Sequence, residues 1–154
     1  MAYWLMKSEP EGCSIDDALA APNATVPWTG VRNFQARNFM RDQMKMGDGV
    51  LFYHSSCEVP GIVGLAEVAS DPYPDATQFQ KKSKYYDAAS KREEPRWINV
   101  DIRARKKTRV ITLPELRSQP ELANMVVLRR GNRLSITPVT AAEWRFITER
   151  LLKE

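Results

Sequence analysis

Residues 50–54 read VLFYH and residues 62–68 read IVGLAEV, with Pro60-Gly61 between them and Gly47-Asp48-Gly49 before them. Short apolar runs bounded by glycine and proline are typical of buried β-strands, because these two residues interrupt regular structure. Two such runs joined by a loop favour antiparallel pairing. The sequence therefore predicts a pair of antiparallel strands here.

Outward from this pair, the spacing of apolar and turn residues predicts further strands, several helices and two loops. The other predicted strands are 2–7, 97–110 and 132–136; the predicted helices are 15–21 (capped by Ser14), 33–43, 121–128, 140–152 and a short one opened by Thr112-Leu113-Pro114-Glu115; the predicted loops are 23–30 and 71–95. Strands with helices inserted between them indicate an α+β fold. A small mixed β-barrel of about five to six strands with peripheral helices would leave few exposed strand edges.

The length of 154 residues and the composition, 43% hydrophobic and 27% charged, indicate one globular domain over residues 1–154. The longest apolar runs are too short to span a membrane, and the N-terminus lacks the pattern of a secretory signal. Cys13 and Cys57 are too few for a disulfide framework, and a single histidine disfavours zinc. We expect a cytoplasmic monomer (nucleoid-associated or nuclear where the host has such a compartment), without cofactor, metal or membrane partner.

The charge is unevenly distributed. The net charge is +4, but residues 77–117 hold twelve basic and five acidic side chains, an excess of seven. A local basic zone suits a polyanionic partner such as nucleic acid. A solvated, lysine-rich surface is the alternative.

Few side chains suggest catalysis. His54 is the single histidine, and the Ser55-Ser56-Cys57 run beside it does not supply the facing geometry that a nucleophile and base need. Lys7 and Glu9, at the end of the first strand, could act together on an amide. We expect a binding domain and not an enzyme, with a small hydrolase acting on a modified nucleoside amide as the alternative.

Trp28 is the strongest candidate for ligand binding. Trp4, Trp97 and Trp144 fall within predicted regular elements, whereas Trp28 lies in a predicted loop behind Pro27. A ring held in a stiffened loop is suited to stacking on a nucleobase, which is worth roughly 1–3 kcal/mol per base. The alternative is a tryptophan folded back onto the core as a plug.

Several motifs, in order along nearly the whole chain, resemble the EVE-domain family. They are 4–10 (WLMKSEP), 28–38 (WTGVRNFQARN), 52–55 (FYHS), 61–64 (GIVG), 85–87 (YYD), 95–97 (PRW) and 133–135 (RLS). The resemblance implies a PUA-like fold, related to YTH and ASCH domains. It also implies recognition of a modified base, such as 5-methylcytosine, flipped into an aromatic cage in DNA or RNA.

The resemblance and the local pattern together suggest two groups of site residues. The predicted base pocket comprises Ser8, Glu9, Trp28, Thr29, Asn33, Tyr53, His54, Tyr86 (or its neighbour Tyr85) and Trp97; the predicted phosphate contacts are Lys7, Arg32, Arg37, Lys81, Lys82 and Lys84. YTH domains carry asparagines after the pocket serine, where this chain has Glu9-Pro10. Because a carboxylate can accept from the exocyclic amine of cytosine, we expect a modified cytosine and not an adenine.

Overall fold

The computed structural model describes residues 1–153, and its centre is one mixed six-stranded sheet. The strands are β1 (Tyr3–Ser8), β2 (Thr25–Pro27), β3 (Gly49–His54), β4 (Gly61–Val68), β5 (Tyr73–Pro74), β6 (Ile98–Asn99), β7 (Asp101–Thr112) and β8 (Ile136–Val139). The α-helices are α1 (Ile15–Ala20), α2 (Phe34–Asn38), α3 (Leu113–Arg117) and α4 (Ala141–Phe146). The predicted α+β class is confirmed.

The strands of the main sheet run in the order β2-β7-β4-β3-β1-β8, and β5 pairs with β6 alone. β1 is parallel to β3, and the other neighbours are antiparallel. Within residues 1–153, no strand pairing joins the two end strands, β2 and β8. Pro27 and Pro138 lie in these end strands, where a missing N–H does not interrupt a central ladder.

The sheet is buried on both faces, and β3 shows why. Val50 and Phe52 belong to one hydrophobic cluster, which also contains Trp28. Leu51 and Tyr53 belong to a second cluster. Successive side chains of a strand point to opposite faces, so an uninterrupted apolar run such as VLFYH requires cover on both sides. The predicted antiparallel pairing of β3 with β4 is confirmed.

Side-chain caps begin each of the four α-helices within residues 1–153, with Asn33 as the cap of α2. At α1 the Ser14 hydroxyl accepts from the Asp17 N–H at 3.0 Å, and the Asp17 carboxylate accepts from the Ser14 N–H at 3.0 Å. Thr140 caps α4 in the same reciprocal manner, whereas at α3 the Thr112 hydroxyl accepts from the Glu115 N–H alone. Such a cap is worth about 1 kcal/mol. The predicted starts of these helices are confirmed.

Several predicted element bounds are wrong. Residues 25–27, predicted as loop, form β2 against β7, and the last strand is 136–139 instead of 132–136. The predicted strand 97–110 is divided into β6 and β7, because its first residues pair with β5 and the rest with β4.

The predicted helices 33–43 and 140–152 each continue their α-helix into a π turn, and 121–128 contains only short 3₁₀ turns. The ends of these helices depend on tertiary contacts, so they cannot be predicted from the local sequence pattern. Within the described residues, no helix is both long and apolar enough to cross a bilayer.

Candidate functional site

A cavity of about 890 Å³ opens where β1 and β2 end. Four segments contribute to it: the end of β1 and the turn after it (within residues 7–13), the end of β2 and the residues before α2 (26–32), Lys84-Tyr85 in the long loop, and Ser135 before β8. Ligand cavities typically measure about 300–1,000 Å³. The site is therefore large enough for a nucleotide and is assembled from chain segments that are distant in sequence.

Trp28 lines this cavity from within the core. Its side chain is 7% exposed, and its ring meets Phe52 edge-on at a centroid distance of 5.3 Å. Its backbone N–H donates to the Val100 carbonyl at 2.9 Å, which fixes the residue to the sheet. Trp28 therefore packs in the core and also forms a wall of the cavity. The hydrogen bond to Val100 holds it in place, in addition to the restriction that Pro27 imposes on the backbone.

Tyr85 is the second aromatic side chain of the cavity. Its ring lies against Gly30, where a Cβ atom would come within 2.5 Å of it, and Gly30 has φ of +81°. The Arg32 guanidinium lies 5.4 Å from the ring centroid and donates to the Tyr85 carbonyl at 2.8 Å. Lys84 lies 5.0 Å from the same centroid. Tyr86, the predicted wall, is 39% exposed and lies outside the cavity.

Asp75 holds the segment that carries Trp28 and Gly30. It is fully buried, and its carboxylate accepts from the Gly30 N–H at 2.8 Å and from Arg32 Nη1 at 3.1 Å. The Thr77 N–H also donates to it, at 2.9 Å. Burial alone would raise the pKa of Asp75, but these hydrogen bonds together hold its pKa below the usual value. Asp75 is therefore an ionised anchor for the cavity wall.

Aromatic rings and arginines alternate behind Tyr85. Arg37 lies 4.8 Å from the Phe34 ring, which stacks on Trp97 at 4.8 Å and 25°. Arg32 lies 5.3 Å from Trp97 and continues the series to Tyr85. Cation–π contacts are worth about 0.5–2 kcal/mol each, depending on solvent exclusion. Trp97 and Arg37 thus support the wall from behind.

The segment that follows β1 contributes two acidic residues to the cavity. Glu9 and Glu11 line it with exposed side chains. The Glu9 carbonyl accepts from the N–H groups of Gly12 and Cys13, each at 2.9 Å. The Ser8 hydroxyl donates to the Cys13 carbonyl at 2.6 Å. This tight turn presents carboxylate acceptors toward the cavity.

Lys7 also lines the cavity, but its ammonium group lies 5.9 Å from the centroid of Tyr53, on the other face of the sheet. Burial lowers the pKa of Lys7 from its ordinary value. Within residues 1–153, no ion pair or hydrogen bond joins Lys7 to Glu9. The arrangement therefore does not pair them as an acid and a base.

His54 forms a hydrogen bond with the first residue of α1, the helix that follows the acidic turn. Its Nε2 accepts from the Ile15 N–H at 3.1 Å, so the neutral ring carries its proton on Nδ1. Burial lowers the pKa of His54, against a smaller opposing effect of Asp16. The ring joins the end of β3 to the start of α1.

The structure brings together about half of the residues that the sequence analysis selected. Those that line the cavity are Lys7, Ser8, Glu9, Trp28, Thr29, Arg32 and Lys84; those that lie outside it are Asn33, Arg37, Tyr53, His54, Lys81, Lys82, Tyr86 and Trp97. Strand alternation places Tyr53 on the opposite face, and Asn33 caps α2 by accepting from the Ala36 N–H.

Arg32, predicted to contact phosphate, instead has its guanidinium donors directed to Asp75, Thr77 and backbone carbonyls. The sequence predicts either Tyr85 or Tyr86 as a wall, because the KYY pattern of residues 84–86 contains no signal that separates them. Within residues 1–153, no three histidine, cysteine or acidic side chains are grouped to hold a metal ion.

The mixed sheet and the cavity at the ends of β1 and β2 define a small PUA-like α+β domain. The chain belongs to the EVE domain family, whose model matches residues 2–150. The family predicted from the sequence motifs is thereby confirmed.

Known relatives include human thymocyte nuclear protein 1, which is 44% identical over 99% of this chain and 75% of the human one. The crystal structure of that human protein in complex with DNA containing 5-methylcytosine superposes with a TM-score of 0.91, at 42% identity, covering 100% of this chain and 99% of the other. A Pseudomonas syringae protein of known crystal structure has a TM-score of 0.91 and 42% identity, over 96% of this chain and 98% of its own.

A Zymomonas mobilis ASCH protein, at 12% identity, shares the fold with a TM-score of 0.55 over 96% of this chain and 97% of its own.

Proposed function

We propose that this domain binds DNA containing 5-methylcytosine and holds the modified base, flipped out of the duplex, in the cavity between Trp28 and Tyr85. The observation that carries the proposal is the cavity of about 890 Å³, which is lined both by two aromatic residues, Trp28 and Tyr85, and by glutamates. The human relative at 42% identity, solved with such DNA, supports the choice of ligand.

The chemistry of the cavity matches a cytosine base. A carboxylate accepts a hydrogen bond from the N4 amine of cytosine, and Glu9 supplies one at the rim. Aromatic rings stack on any base, with a gain of roughly 1–3 kcal/mol. Stacking and the amine contact together offset the few kcal/mol that unpairing the base costs.

The methyl group is recognised through the apolar part of the wall, where Val26 and Val31 line the cavity beside Trp28. Burying one methyl group is worth about 0.8 kcal/mol, which corresponds to about fourfold in affinity. We therefore expect a methyl preference of several-fold, and a larger contribution from the polar contacts that distinguish cytosine from the other bases.

Binding accounts for the site better than amide hydrolysis. A hydrolase would need Lys7 and Glu9 to face each other across a substrate, whereas the Lys7 ammonium lies against Tyr53. Glu9 is exposed at the rim, where a carboxylate serves as a hydrogen-bond acceptor.

The test compares Glu9→Ala with Glu58→Ala, an exposed glutamate outside the cavity. Each variant is titrated with a 5-methylcytosine duplex and its unmodified counterpart at fixed salt. Loss of the amine acceptor should weaken binding of the methylated duplex by about tenfold in Glu9→Ala. Glu58→Ala should match wild type. Equal affinities of wild type for the two duplexes would refute recognition of the methylated base.

A further inference from the structure

A second, smaller cavity of about 340 Å³ adjoins the segment that precedes β8. We call it the arginine groove; it is lined by Gln35, Phe39, Val126, Arg129, Arg130 and Pro138, among others. Among the described residues, none that lines it is acidic. The whole sequence between Glu121 and Glu143 contains no acidic residue and three arginines.

The arginines of this segment are available for a ligand. Arg129, Arg130 and Arg133 are exposed, and within residues 1–153 their guanidinium groups have no hydrogen bond, ion pair or ring contact. By contrast, Arg105 and Arg109 of β7 pair with Glu67 and Glu115. Unpaired arginines beside an apolar wall suit a nucleotide chain, because the guanidinium fork matches phosphate.

The loop that carries the arginines is held in one conformation. The Asn132 side chain donates to the Val126 carbonyl at 2.9 Å and accepts from the Leu134 N–H at 3.0 Å. The Asn132 N–H also donates to the Arg129 carbonyl at 3.1 Å. These bonds fix the backbone from which Arg129 and Arg130 project, so ligand binding does not have to order it.

The groove adjoins the base cavity through two consecutive residues. Leu134 lines the groove and Ser135 lines the base cavity, and the Ser135 carbonyl accepts from the Lys7 N–H at 2.8 Å. The two cavities therefore meet at this point of the backbone, and the groove is a candidate site for nucleotides that flank a base held in the cavity.

We infer that the arginine groove binds the sugar–phosphate backbone of the DNA strand next to the flipped nucleotide. This inference rests on the proposed function, and it assigns the backbone contacts to Arg129 and Arg130, which lie outside the basic zone of residues 77–117. Such contacts set affinity and register and do not read the base.

The test is a salt titration of binding for Arg129→Gln/Arg130→Gln and for the charge-matched control Arg117→Gln/Arg145→Gln. Both control arginines are exposed and lie outside the two cavities. The probes are the methylated duplex, the unmodified duplex and 5-methyl-dCMP. Thermal unfolding of each variant confirms that it is folded.

Each lost phosphate contact lowers the salt slope of the logarithm of affinity by about one. We expect the groove variant to have a slope shallower by about two, to lose affinity equally for both duplexes and to retain wild-type affinity for 5-methyl-dCMP. A slope equal to that of the control variant would overturn the inference. If wild type binds both duplexes equally, base reading fails, and the slope alone then decides whether the groove binds the backbone.

Discussion

Trp28 and Gly30 show how single residues shape the cavity. Trp28 is 7% exposed, so replacing it with alanine would remove core volume as well as the wall, at a cost of about 3–5 kcal/mol. Gly30 is a better probe, because its contact with Tyr85 forms the wall without filling the core. Its positive φ of +81° is a conformation that side chains with a Cβ rarely adopt.

We predict that Gly30→Ala weakens binding of the methylated duplex by about tenfold, because the added Cβ displaces the Tyr85 ring. Gly47→Ala is the matched control: its φ is +91°, and no atom lies within 4 Å of a Cβ there. Both variants should lose about 1–2 kcal/mol of stability. Equal binding by the two would show that Tyr85 does not contact the ligand.

Pairs of secondary-structure elements determine which face each side chain uses. β1 and β3 run in parallel register, with Lys7 opposite Tyr53 and Ser8 opposite His54. Alternation then sends Ser8 and His54 to the side of the sheet that carries Trp28, and Tyr53 to the other side. On the side of the sheet that carries Trp28, the His54 ring accepts from the Ile15 N–H and so holds α1 in place.

We predict that His54 makes the stability of the fold depend on pH. Burial lowers its pKa in the folded state below the ordinary value of 6.5, so between the two values the unfolded chain binds more protons. The contribution is therefore fully present above about pH 6.5 and is lost as the pH falls through the folded-state pKa.

His54→Gln keeps an acceptor for the Ile15 N–H but does not titrate, so its stability should fall less on acidification than that of wild type. Chemical denaturation across this pH range measures the difference. Parallel pH profiles for the two proteins would contradict the prediction.

The whole molecule places an aromatic cavity and an arginine groove side by side, with a net charge of +4. Under the proposed function, one base must leave the stack to enter the cavity. We predict that a mismatch opposite the 5-methylcytosine tightens binding relative to the paired duplex, because the cost of unpairing falls. Anisotropy titrations of both duplexes check this. Tighter binding of the fully paired duplex would argue that the base stays stacked.

The sequence motifs identified the EVE family correctly. The apolar run at 50–54 identified a central strand of the sheet, because an uninterrupted apolar pattern reflects burial. Helix caps such as Ser14 could also be predicted from the sequence, since a cap is a local interaction. The bounds of β2 and β8 could not be predicted in this way, because an edge strand is defined by its pairing with a neighbouring strand.

For the candidate site, the resemblance to the EVE family and the local pattern grouped Trp28, Ser8 and Glu9 in one predicted pocket, and all three line the same cavity. Tertiary structure decided that Tyr85 and not Tyr86 lines the cavity and that Arg32 is engaged by Asp75. It also decided that Arg129 and Arg130 have no partner among residues 1–153. The physical reason is that local pattern encodes periodicity and capping, whereas the availability of a side chain depends on partners that folding brings from distant positions.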